Sequence, residues 1–235
     1  MLTYKFDWSV VTSGKYFDWL VSGLKVTLAL SAVAVIASFV LGLLVAIARL
    51  APARPLRALA AAYVEFFRNT PLVVQVFFWY FGSFTFLPAG LNDWLNNHNF
   101  EFAAAAIALS IYTSAFIAED LRSGVLAVPR EQMEAARSAG FSYLAAMRRV
   151  ILPQAVRLTV PPLVNQFLNL TKNSSLAMTI GVAELTYQAR QVESYTFKGF
   201  EAFTAATVVY LGLSFVITAL VAAYDRAVLN PVRGR

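Results

Sequence analysis

The 235-residue chain is 59% hydrophobic and only 14% charged, against about 25% charge in an ordinary soluble domain. The net charge is +6 and there is no cysteine, which excludes a disulfide framework and any thiolate metal site. The charge deficit points to a membrane protein. The basic residues stand mostly beside apolar runs, so they read as a topology signal and not as a nucleic-acid surface.

Residues 1–22 are mixed polar and aromatic. Lys5, Asp7, Lys15 and Asp18 interrupt them, so no cleaved signal peptide is visible. Trp8, Tyr16, Phe17 and Trp19 suit a membrane interface. Val26 to Ala48 are 23 residues without a charge, which as a helix cover about 34 Å, enough for a hydrocarbon core of about 30 Å. The first span is predicted at 24–49. Pro52 and Pro55 then make a turn, and Arg49, Arg54 and Arg57 mark the cytoplasmic side. The second span, 58–87, holds Glu65, Arg68 and Pro71. It is predicted to begin at the cytoplasmic surface and to be distorted at Pro71, with Glu65 and Arg68 within reach of each other on one face.

Pro88 to Glu101 carry no Lys or Arg and read as an outer polar loop; His98, the sole histidine, is expected there as a solvated residue. The third span, 102–122, is uncharged to Ala118, after which Glu119 to Arg122 carry the helix into the cytosol. Residues 123–157 lie inside, and the fourth span, 158–181, is the most polar. Its Asn165, Asn169 and Lys172 fall at i, i+4, i+7 on one helical face. Polar groups in hydrocarbon normally face a bundle interior or an aqueous path. That face, with Asn173, is the candidate wall of a substrate path, with Lys172 near mid-depth; Arg68, Gln75 and Thr113 are candidates for the wall opposite. The Asn173-Ser174-Ser175 sequon at membrane depth is read as chance. A balanced polar loop follows at 184–201, then a fifth span at 202–225, with Arg226, Arg233 and Arg235 closing the chain inside. The fold class is therefore all-α: one polytopic membrane domain over 1–235, N-terminus outside and C-terminus cytoplasmic.

Catalytic chemistry finds no footing. Gly14-Lys15 lacks the upstream glycine of a phosphate-binding loop. No His/Cys/Asp group has metal spacing, and the spans hold no serine–histidine pair.

The cytoplasmic stretch from Leu121 to Arg157 is Arg-rich and reads as two short helices. Pro129 suits a first helical position, Gly140 the left-handed turn after the helix end, and Ser142 the next N-cap. Pro153 is expected to limit the second helix. Ala135, Ala136 and Ala139 offer small side chains for close approach of another surface. Leu144, Met147 and Ile151 are predicted on one face, away from Arg148 and Arg149.

The run from Glu134 to Gly140 (EAARSAG), followed by ILPQA at 151–155, resembles the EAA loop of ABC importer permeases. Phe67, Arg68, Thr70, Pro71, Leu72 and Gln75 resemble a Phe-Arg-x-Thr-Pro-Leu-x-x-Gln pattern of the polar amino acid branch, and PPLVNQFLNLTKNSSL on the fourth span is similar again. One departure stands at Glu131-Gln132, where that family often has Gly-Gln. The resemblance implies a five-helix type I importer transmembrane domain. It implies pairing with a second permease, like or homologous, with two cytoplasmic ATPase subunits and with an extracytoplasmic solute-binding protein. Glu134, Ala135, Ala136, Ala139, Gly140, Leu152 and Pro153 would couple to the ATPases. ATP would be bound by those partners, with no cofactor on this chain, which would sit in the bacterial inner membrane. The stretches look closest to the glutamate/aspartate members. The alternative is an ion-coupled secondary transporter. It needs an acidic residue deep in a span, and Glu65 and Glu119 both fall near cytoplasmic ends.

Overall fold

A computed structural model describes residues 4–86, 88–97 and 99–224, and every regular element among them is helical. His98 and the arginines 226, 233 and 235 lie outside the described residues.

A turn of helix, α1 (Ser9–Thr12), precedes α2 (Gly14–Leu50). α2 has no proline along 37 residues. It starts well before Val26, within the segment read as an interfacial N-terminus, and measures about 55 Å. The expected second span comes as two helices, α3 (Arg54–Arg68) and α4 (Leu72–Phe86). Pro71 has no N–H and restricts Thr70 before it, so the helix stops where a bend was expected. α5 (Ala89–Asn97) occupies the predicted outer loop, with Asn92 and Leu95 buried on one face. α6 (Phe100–Leu126) runs unbroken through Glu119–Arg122.

α7 (Arg130–Ser138) and the single turn α8 (Tyr143–Ala146) follow. A π-turn over Met147–Ile151 then leads directly into α9 (Leu152–Asn173). Pro153 therefore does not end a helix but lies inside a continuous run, just after the widened turn. The wide turn also shifts the helical register. Ile151 is buried while Leu144 is 75% exposed, so the predicted Leu144–Met147–Ile151 face does not form. A 3₁₀ stretch, Ser174–Ile180, closes on Gly181 at φ +91°. α10 (Leu185–Thr196) fills much of the predicted polar loop, and α11 (Gly199–Tyr224) covers the last apolar run.

Among the described residues three helices, α2, α6 and α11, are long and apolar enough to cross a membrane by themselves. α4 is apolar but short, and α9 is long but carries the polar face.

The described residues form two compact units. The first draws on 4–35, on the described residues of 71–109 and on 168–221. Its core joins Val11 and Leu20 to Leu185, Ala189 and Val192 of α10 and to Ala202 and Ala206 of α11. α2 meets α10 closely at Gly23, where a methyl group would stand 2.7 Å from Gln188 Cγ and 2.9 Å from Leu185 Cα. The second unit draws on 36–70, 110–167 and 222–224. Ala46, Val64 and Ala118 form one cluster, and Val128, Ile151 and Ala155 form another. Small residues let helices approach here as they do in membrane bundles generally. A methyl group at Gly124 of α6 would stand 2.0 Å from Thr159 Cγ2 of α9.

That contact is testable. Gly124→Ala overpacks it and is expected to cost about 1–3 kcal/mol. Thr159→Ser removes the offending methyl, so the double variant should recover most of the loss in thermal unfolding of the detergent-solubilised protein. Equal destabilisation of single and double variants would show that the two helices do not meet there.

Candidate functional site

Two features stand out in the second unit. The first is the turn between α7 and α8. Gly140 takes φ +87°, the left-handed conformation expected after a helix end. Its N–H donates to the Arg137 carbonyl at 3.0 Å, and that of Phe141 to the Ala136 carbonyl at 3.1 Å. Ser142 Oγ accepts from the Ala145 N–H at 3.3 Å, the predicted N-cap. Glu134, Ala135, Ala139, Gly140, Leu152 and Pro153 are exposed, whereas Ala136 is buried within the unit. Tyr143 and Leu144 are also exposed, so α8 presents apolar surface beside the turn.

The second feature is a charge node the sequence reading did not foresee. Glu119 pairs with Arg49 at 2.8 Å and with Arg122 at 2.5 Å. Beside it, Gln166 Nε2 donates to Asp120 Oδ2 at 2.9 Å. Arg68 does not pair with Glu65; its guanidinium lies 5.1 Å from the Phe116 ring centre, while Glu65 Oε2 accepts from Asn69 Nδ2 at 3.2 Å. Of the path candidates, Arg68 and Asn165 are exposed in this unit and Thr113 is buried.

The other path candidates belong to the first unit. Gln75 is buried on α4, while Asn169 and Lys172 are exposed and Asn173 half-buried in the last turns of α9. Because α9 begins at Leu152, Lys172 lies near its end and not at its middle. Lys172 and Ser175 share a pocket of about 370 Å³ with Thr207, Tyr210, Leu211 and Ser214 of α11. Thr207, Tyr210 and Ser214 recur at i, i+3, i+7 in an apolar run, a helical polar stripe that the sequence shows and the charge count passes over.

Behind Tyr210 is Glu184, fully buried. It accepts from the N–H groups of Thr186 at 3.0 Å and Tyr187 at 2.8 Å, and from Tyr210 Oη at 2.7 Å. Burial pushes its carboxyl above the ordinary carboxylate range, against the pull of those three donors. The buried Glu201 accepts from Tyr4 Oη and from the Asp7 N–H at 2.7 Å. Both acids stand at the ends of the stretch 184–201 that the sequence marks as a balanced polar loop. Among the described residues no group of three or more His, Cys, Asp or Glu is placed to hold a metal ion.

The family described as binding-protein-dependent transport system inner membrane components matches residues 24–230. The chain belongs to it. Inner membrane components related to this one include the probable glutamine ABC transporter permease protein GlnM of Bacillus subtilis (strain 168). It is 46% identical over 203 residues, covering 86% of this chain and 89% of the relative. The glutamate/aspartate import permease protein GltJ of Escherichia coli (strain K12) is 36% identical over 220 residues, 92% of this chain and 89% of its own. Among solved structures, an amino acid ABC transporter with histidines superposes with a TM-score of 0.83 at 34% identity, over 95% of this chain and 99% of that one. The MetNI methionine ABC transporter matches at a TM-score of 0.71 and 23% identity, a likeness of fold alone. The fold is that of an ABC importer permease, and the chain is a membrane transport subunit, not an enzyme.

The charge node gives this permease a measurable signature. Glu119→Leu leaves Arg49 and Arg122 without their shared anion, and removing one partner of a half-buried pair costs more than removing both sides together. Arg49→Leu combined with Glu119→Leu is expected to unfold at a higher temperature than Glu119→Leu alone. The reverse order would mean that the pairs carry no coupling.

Proposed function

We propose that this chain is the permease subunit of an ATP-driven importer of polar amino acids, with glutamate and aspartate as its substrates. The reading is supported above all by 36% identity to a glutamate/aspartate permease along 92% of the chain, together with the Phe67–Gln75 pattern and the polar end of α9. A glutamine substrate is the second reading, favoured by the 46% identity to a probable glutamine permease. ATP-driven uptake of glutamate, aspartate and glutamine into proteoliposomes holding the whole complex decides between them. Uptake driven by an ion gradient without ATP would overturn both.

In this proposal two copies of the chain, or this chain and a homologue, form one pathway within the lipid. An extracytoplasmic solute-binding protein delivers substrate to it. Each permease receives one ATPase at the turn formed by Glu134, Ala135, Ala139 and Gly140, with Leu152 and Pro153 at its edge and the buried Ala136 holding α7 in place. The path runs along Asn165, Asn169, Lys172 and Asn173, with Arg68, Gln75 and Thr113 contributing polar groups. The N-terminus is outside and the C-terminus inside, from the placing of the arginines.

Two outcomes follow. The chain has no cysteine, so single cysteines at Asn97 and Ser138 label cleanly, and an impermeant maleimide should reach them from opposite sides of the membrane. Labelling from one side refutes the topology. At the coupling turn, Gly140→Val places a β-branched side chain at a positive φ, a strain of about 1–2 kcal/mol, and Ala139→Asp sets a charge on the exposed face. Both variants should insert normally yet lose ATPase association or substrate-stimulated hydrolysis. Wild-type coupling in both would remove the turn as the docking element.

A further inference from the structure

α3 has three sides. Ala60 and Val64 are buried within the second unit. Leu59, Ala62 and Phe66 recur at i, i+3, i+7 on another side. All three are exposed, Leu59 to 71% and Phe66 to 61%. The third side carries the charges: Arg54, Arg57, Glu65 and Arg68, all exposed. Glu65 and Arg68 have neighbours in the chain, Asn69 and the Phe116 ring. Arg54 and Arg57 join neither of the ion pairs found among the described residues, both of which belong to Glu119. The first turn of α3 holds no acidic residue. Two positive charges there stand at the positive end of the helix dipole, which is unfavourable without an anion. That anion has to come from outside the unit.

Residues three apart on a helix have Cβ atoms about 5–6 Å from each other. Each guanidinium is a planar fork of donors that fits a phosphate. Arg54 and Arg57 can therefore close on one phosphate from two sides. The apolar side starts at the same level: along the axis Leu59 is about 3 Å beyond Arg57 and Phe66 about 14 Å. A soluble anion would use the arginines and leave this track bare. A ligand with a phosphate head and an apolar tail uses both. Basic and apolar faces side by side are also the pattern of helices that lie against anionic lipid. A zwitterionic headgroup would bring its own cation toward the arginines.

We propose that α3 binds an anionic phospholipid, its phosphodiester held by Arg54 and Arg57 and an acyl chain laid along Leu59, Ala62 and Phe66. The proposed topology puts this lipid in the cytoplasmic leaflet; only the leaflet rests on that topology. Arg49, the third arginine near the turn, is engaged by Glu119 and takes no part.

Native mass spectrometry of the purified full chain, stripped of lipid in detergent, tests the site. The probes are phosphatidylglycerol, phosphatidylcholine, glycerophosphoglycerol (the first headgroup without acyl chains) and inorganic phosphate. Wild-type protein should bind phosphatidylglycerol about tenfold more tightly than phosphatidylcholine, as charge-assisted hydrogen bonds imply. Arg54→Gln with Arg57→Gln should erase that preference and leave phosphatidylcholine binding unchanged. Arg190→Gln, at an exposed arginine of α10, should keep the preference.

Equal binding of the two lipids by the wild type overturns the proposal, and so does a preference that survives in the double variant. Glycerophosphoglycerol or phosphate binding as tightly as phosphatidylglycerol makes this a site for a soluble phosphate and overturns it too. Loss of the ATPase subunits from a complex carrying the double variant assigns the arginines to that partner, again against the proposal. ATP-driven uptake by the wild-type complex alongside any of these failures removes the lipid site and leaves the permease reading standing.

Discussion

Hydrocarbon offers no water to a backbone N–H or C=O, and each group left open there costs several kcal/mol. A chain that crosses it is therefore helical wherever it can be, and its prolines mark where that rule needs help. At Pro71 the help comes from side chains: Asn69 Nδ2 donates to the Glu65 carbonyl at 2.7 Å and Thr70 Oγ1 to the Phe66 carbonyl at 3.0 Å. α4 then restarts with the N–H groups of Val74 and Gln75 on the Pro71 carbonyl. At Pro153 the answer is different. The preceding turn widens, the Leu152 N–H reaches back to the Met147 carbonyl, and Gln154 Nε2 donates to the Val150 carbonyl at 2.8 Å. The helix passes through the proline without ending. The turn between α7 and α8 thus leads into one continuous run of helix.

The same demand governs the side chains. Glu184 and Glu201 are fully buried, and each gathers donors from chain segments far away in sequence. Glu184 also ties α10 to α11: its Oε2 accepts from Tyr210 Oη at 2.7 Å, and Thr186 Oγ1 lies 3.2 Å from the same phenol oxygen. In the second unit Glu119 joins α2 to α6 through Arg49 and draws Arg122 of its own helix into the same node.

What the sequence makes legible here is local. Uncharged runs mark α2, α6 and α11 because length and composition decide membrane crossing. Gly140 and Ser142 announce the turn between α7 and α8 because only a few residue types suit a left-handed position and an N-cap. The exposed face of Asn165, Asn169 and Lys172 follows from period alone. What stays hidden depends on distant partners. Nothing next to Glu184 reports that Tyr210 will meet it, and nothing next to Glu201 points to Tyr4 and Asp7. α10 falls in a stretch whose balanced charge reads as a polar loop. Yet Leu185, Ala189 and Val192 stand at i, i+4, i+7 and are its buried face, so the pattern was present and overruled by composition. The π-turn has no such pattern; Pro153 is its only trace, and a proline alone reads as a stop.

The tie between the two ends of the chain also carries a temporal consequence. The Asp7 N–H finds Glu201 across 194 residues of sequence, and Thr27 accepts from the Leu185 N–H across 158. At translation rates of about 5–20 residues per second, the N-terminal segment waits about 10–40 s for its partner to be made. During that interval α2 stands in the bilayer with its hydroxyl at Thr27 unclaimed by the protein. Assembly of the first unit is an event of late synthesis, completed only when the last helix emerges.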